Sequence, residues 1–189
     1  MHAPSVNAER RAFSHGETPV VARVTDIYQA LPSMTGKFEL EYEGELKGAD
    51  QVARDLVRAS VSNVFEGYYG GADVAPIIEW FDLGGSLSMS DVTDAATLVR
   101  DAAAVQGLVD LAVKRAGLDR SAPAPAVAAA VDFLLEGLYS QKKISRTDER
   151  GYHGAEPVRR AQPQSRTPFL TQDEEEEPAD VRRKKKYYN

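Results

Sequence analysis

Residues 49–69, ADQVARDLVRASVSNVFEGYY, decide the fold class. Val52, Leu56, Val57, Ser60, Val61, Val64, Phe65 and Tyr68 recur at the 3.6-residue period of an α-helix and make one broad, mostly apolar stripe. Gly70-Gly71 ends it. Toward the C-terminus, Val74–Phe81 (VAPIIEWF) reads as a short apolar helix stopped by Gly84-Gly85. Ser90 is the N-cap candidate for a helix striped by Val92, Ala95, Val99 and Ala102. Val105, Leu108, Val109 and Ala112 continue that stripe beyond a kink near Gln106-Gly107. SAPAP at 121–125 reads as a linker. Val127, Val131, Leu134, Leu135 and Leu138 then mark a last helix that runs to about Lys143. Toward the N-terminus, 22–31 places Val24, Ile27, Tyr28 and Leu31 at helical spacing before Pro32, and 7–15 forms a short helix closed by Gly16. The expected fold is mainly α, with no repeat at a fixed period.

Residues 35–48 differ. Phe38, Leu40 and Tyr42 alternate with Glu39, Glu41 and Glu43, the two-residue period of an extended segment. A single such run has no partner strand in view, so an extended arm or a short edge strand is expected. Beyond Ile144 the apolar signal fades into Arg, Gln, Pro, Ser and Glu, with an acidic block at Asp173–Glu177 and a basic block at Arg182–Lys186. Such a composition buries too little apolar surface to offset the entropy of ordering, so 145–189 is expected to be a disordered tail.

Charge and composition narrow the function classes. Residues 145–189 carry ten Lys or Arg against nine Asp or Glu, whereas residues 1–144 carry thirteen against twenty. An acidic body repels a phosphate backbone, which argues against nucleic-acid wrapping. The absence of cysteine excludes disulfides, thiolate nucleophiles and Cys-based metal sites. No run of about eighteen apolar residues and no signal-peptide core is present, so no membrane partner and a cytoplasmic location are expected.

Catalytic motifs fail on inspection. Thr35-Gly36-Lys37 has the end of a phosphate-binding loop, but that loop needs Gly at 31 and Ser or Thr at 38, where Leu31 and Phe38 stand. His2, His15 and His153 sit far apart, without the spacing that puts two metal ligands on one helix face, and read as surface residues. Glu39, Glu41, Glu43 and Glu45 read as a solvated face rather than a Mg²⁺ cage. No catalytic, cofactor-binding or metal residue is therefore expected. The candidate partner contacts are Lys37, Phe38, Leu40 and Tyr42 on the arm, and Trp80, whose setting beside Ile77, Ile78 and Phe81 fits a core position better.

NAERRA at 7–12 followed by VTDIYQALPSMTGKFELEYEGE at 24–45 resembles the C-terminal lid region of magnesium-chelatase-subunit-I-like, MoxR-type AAA+ ATPases. GADQVARDLVRASVSNVF at 48–65 resembles the helix that follows it there, and KKISR…ERGY…AEP between Lys142 and Pro157 is similar to the end of their helical extension. The resemblance implies three regions: 1–34 as the end of the lid, 35–144 as arm and helical extension, and 145–189 as tail. It also implies a parent that forms ATP-driven rings, with ATP and Mg²⁺ as cofactors and a von Willebrand-A-type protein as partner. The family's Walker A, Walker B and sensor 1 elements belong to an N-terminal α/β core absent from this sequence, and its sensor-2 arginine would precede Asn7. Arg10, Arg11 and Arg23 match none of these roles. The chain is therefore expected to be a C-terminal piece, from a split gene, a truncation or a late start. On this reading it gives lid packing and contacts to an AAA+ core polypeptide or to its own copies, without hydrolysing ATP. A standalone helical adaptor is the alternative.

Overall fold

A computed structural model describes residues 3–36, 47–119, 121–147 and 149–155. Among them eight helices and three short strands follow one another: α1 (Ala3–His15), α2 (Val24–Ala30), α3 (Pro32–Thr35), α4 (Ala49–Tyr69), α5 (Ala75–Asp82), β1 (Ser86–Leu87), α6 (Ala95–Ala102), α7 (Leu108–Arg115), α8 (Ala124–Ser140), β2 (Ile144–Thr147) and β3 (Gly151–Gly154). The fold is mainly α, as the periodicities predict. The apolar run of α8 dictates the layout. Val127, Ala128, Val131, Leu134, Leu135 and Leu138 point to more than one side of it, so it must be covered all round. α4, α6 and α7 pack on it, and α2 adds a fourth neighbour.

Helix α4 lies where the sequence puts it but is turned about its axis. Ala53, Val61, Phe65 and Tyr69 face the core, while Leu56 is 59% exposed and Val64 and Tyr68 are also exposed. Leu56 is thus no core residue. Apolar side chains cover much of this helix, so periodicity alone leaves its phase loose. The docking of α8 chooses the face on which the Phe65 and Tyr69 rings stack, 4.7 Å apart. The N-cap of α6 also moves, from Ser90 to Asp94, whose Oδ1 accepts from the Thr97 N–H at 2.9 Å. Ser90 instead closes a turn with Thr93.

The break expected at Ile144 is not there. β2 and β3 form a hairpin, and β3 is the central strand of an antiparallel sheet ordered β1-β3-β2. Its register pairs Leu87 with Tyr152 and Arg146 with Tyr152. The Tyr152 side chain is fully buried in the core, and His153, expected at the surface, is buried as well. Gly151 makes this possible: its φ is +66°, and a Cβ there would stand 2.4 Å from the Leu87 carbonyl oxygen. Residues 145–147 and 149–155 therefore belong to the folded unit. The remainder of the expected tail lies outside the described residues, as do Lys37, Phe38, Leu40 and Tyr42 of the arm.

Candidate functional site

Two carboxylates interrupt the apolar surface of α8. Asp132 and Glu136, one turn apart, are both buried. A buried carboxylate needs partners, and the hairpin supplies them. The Tyr152 hydroxyl donates to Glu136 Oε1 at 2.5 Å, Arg146 Nη1 donates to the same oxygen, and the Arg146 guanidinium lies 5.0 Å over the Tyr152 ring. Burial, then the Glu136 charge, raises the Tyr152 hydroxyl well above its ordinary pKa and keeps it a donor. Asp132 is served less well. Its Oδ2 accepts from the Thr25 N–H at 3.2 Å, and its Oδ1 has no partner among the described residues. Burial, with the Glu136 charge behind it, pushes Asp132 up to about 7.

That shift has a stability consequence. Between the ordinary carboxylate pKa of 3.8 and 7, the folded chain keeps the Asp132 proton and the unfolded chain does not. The folded state binds more protons there, so this group lowers stability as pH rises through that window. Asp132→Asn is expected to gain roughly 2–4 kcal/mol relative to the parent between about pH 4 and pH 8. Denaturant titrations of both proteins at the two pH values measure it. A difference that does not change with pH would contradict the buried, protonated carboxyl.

A cleft of about 520 Å³ lies between α2, α4, the end of α8, the hairpin and the 88–91 segment. Tyr28, Arg54, Arg58, Tyr139 and Arg146 line it, with Asp91 at one side. Arg58 Nη2 donates to the Tyr139 hydroxyl at 2.9 Å, and the guanidinium sits 4.9 Å over that ring. Arg54 pairs with Asp50 one turn away at 2.7 Å. Burial and the nearby Glu136 raise the Tyr28 hydroxyl pKa.

A second polar cluster fixes the N-terminal helices to this body. Arg11 bonds Asp26 Oδ1 at 2.5 Å and the Val21 carbonyl at 2.8 Å. Asp26 Oδ2 accepts from the Arg23 N–H at 2.8 Å, which caps α2. Glu17 lies 3.6 Å from both Arg11 and Arg23 and accepts from the Ala95 N–H at the start of α6. Arg23 reaches the Thr93 carbonyl at 2.7 Å. Burial, then the charge of Arg11, lowers the Arg23 pKa. Arg11 and Arg23 are thus engaged inside the fold, whereas Arg10 is exposed.

Of the candidate contacts read from sequence, only Trp80 is described. It is half-buried, edge-on to Phe81, and stacked so closely on Gly85 that a Cβ there would stand 2.3 Å from its ring. It lies away from the cleft. Arg54, Arg58, Arg146 and the Asp132–Glu136 pair are the residues that motif reading missed. The available signal was VDFLLEG, two acids one turn apart within the most apolar helix. Among the described residues no group of three or more His, Asp or Glu side chains is placed to hold a metal, and no helix is long and apolar enough to cross a membrane. No family model, curated protein or solved structure matches the chain.

Proposed function

We propose that this chain is the non-catalytic C-terminal part of a magnesium-chelatase-like AAA+ ATPase, giving lid packing and subunit or partner contacts. The observation that supports this most is the buried ionic cluster joining the α1–α2 pair to α6. Arg11, Glu17, Arg23 and Asp26 tie the lid-like helices to the helical extension, so displacing one against the other would break buried ionic contacts. A lid that follows nucleotide state needs such a joint to act on a partner. ATP and Mg²⁺ then belong to a separate core polypeptide, and the von Willebrand-A-type partner or neighbouring ring subunits take up the motion.

The test is reconstitution with a Walker-bearing AAA+ core polypeptide, should a reading frame immediately upstream of this chain encode one. Neither protein alone should turn over ATP at the rate of the mixture, and the two should elute together at a ring-sized mass. Independent elution with unchanged turnover would favour the helical adaptor instead, for which the exposed Leu56, Val64 and Tyr68 on α4 are the supporting feature.

A further inference from the structure

We propose that the cleft between α2, α4 and the hairpin is a binding site for a small phosphate monoester, with Arg58 as its principal contact and Arg146 and Arg54 flanking it. Among the described residues, three guanidiniums face a single lining carboxylate, Asp91. Two of the three are spoken for, Arg146 by Glu136 and Arg54 by Asp50. Arg58 pairs with no acid among the described residues: its Nη2 has only a neutral tyrosine hydroxyl, and its Nε is buried without a hydrogen-bond partner. A half-buried cation in that position carries a desolvation cost that an incoming anion removes.

Three guanidiniums around one cleft favour an anion with several oxygens and more than one charge over a halide or a lone monocarboxylate. A guanidinium presents a planar fork of N–H donors that matches two oxygens of a phosphate. Stacking on the Tyr139 ring holds the Arg58 fork in place before any ligand arrives, which lowers the ordering cost of binding. Arg146 is held the same way by Tyr152 and Glu136, with 27% of its side chain still exposed. The cleft, about 520 Å³, has room for more than a bare phosphate, within the usual range for small-molecule sites. Tyr28 and Tyr139 provide walls for the organic part of a monoester. The acidic body does not oppose this, because the cations are local to the cleft and field lines concentrate there.

Three probes test the assignment on the full chain: inorganic phosphate, glycerol 3-phosphate and malonate, titrated by calorimetry and by the amide shifts of α4 and the hairpin. Saturable binding of the two phosphates, with the monoester tighter and malonate weaker, is the expected result. Arg58→Gln should weaken phosphate binding about tenfold or more, the worth of one charge-assisted hydrogen bond. Arg58→Lys, which keeps the charge without the fork, should fall between the two. Arg100→Gln, on α6 and outside the cleft, should bind as the parent does. The thermal midpoints of all variants show whether each has folded, and Arg54→Gln gives a second reading should Arg58→Gln unfold. Malonate binding as tightly as the monoester, equal weakening by Arg100→Gln, or no saturable phosphate binding to the folded parent would each overturn the proposal. None of these readouts depends on an ATPase partner, so this site and the AAA+ reading stand or fall separately.

Discussion

Arg11→Met should destabilise the chain by about 3–5 kcal/mol, the loss expected when one partner of a buried ion pair is removed. Arg11 and Asp26 are both almost wholly shielded from water and lie 2.5 Å apart. Methionine fills much of the space left by the arginine stem, so the loss is chiefly electrostatic. Asp26 would keep one bond, from the Arg23 N–H, and would otherwise be a buried charge with no guanidinium in direct contact. Adding Asp26→Asn removes that charge and retains an acceptor for the Arg23 N–H. The double variant should therefore recover a substantial part of the loss, about 1–3 kcal/mol, as coupling between contacting residues. Denaturant unfolding of the parent, both single variants and the double variant closes the cycle. A single variant within about 0.5 kcal/mol of the parent, the range of an exposed site, would mean that the cluster is open to water and that α1 is not fixed as described.

The same cluster shows where sequence reading stops. The positions of α1, α2, α4, α5 and α8 are legible because a helix writes its apolar period and its Gly or Pro ends into neighbouring residues. The partners of a buried charge leave no such mark. Arg23 meets Thr93 seventy residues on, and the Thr25 N–H meets Asp132 after 107. In sequence these look like ordinary solvated charges, and only the meeting of α2 with α6 and α8 buries them. The hairpin was hidden for a related reason. Ile144 and Tyr152 are its main apolar residues, and ISRT and GYHG carry too little hydrophobic alternation to announce strands. What holds the hairpin is Tyr152 and Arg146 converging on Glu136, a tertiary contact. The cleft inherits that invisibility, since Arg58 on α4 and Arg146 on β2 come together only when both elements dock on α8.

Gly137→Ala is the substitution in which local propensity and tertiary packing disagree most plainly. In an isolated helix the change would be favourable by about 0.5–1 kcal/mol, because alanine restricts the unfolded chain and suits the helix interior. Here a Cβ at 137 would lie 1.8 Å from Phe65 Cδ2 and 2.4 Å from its Cγ, an impossible approach unless the ring or the helix moves. The ring has little freedom to move. Phe65 is stacked on Tyr69 at 14° between planes and also meets Phe133, so displacing it disturbs three aromatic side chains together. The net effect should be a loss of about 3 kcal/mol, the upper part of the usual overpacking range. Phe65→Leu opens space beneath the new methyl while leaving a smaller cavity of its own. Gly137→Ala combined with Phe65→Leu should therefore lose clearly less than the two single losses added together. Because α4 must back away from α8 to accommodate the methyl, the Arg58–Tyr139 bond across the same interface should weaken too, and phosphate binding with it. Thermal unfolding and a phosphate titration on the same four proteins measure both effects. A Gly137→Ala protein more stable than the parent would show that propensity wins, and that α4 and α8 are not in the close contact on which the cleft depends.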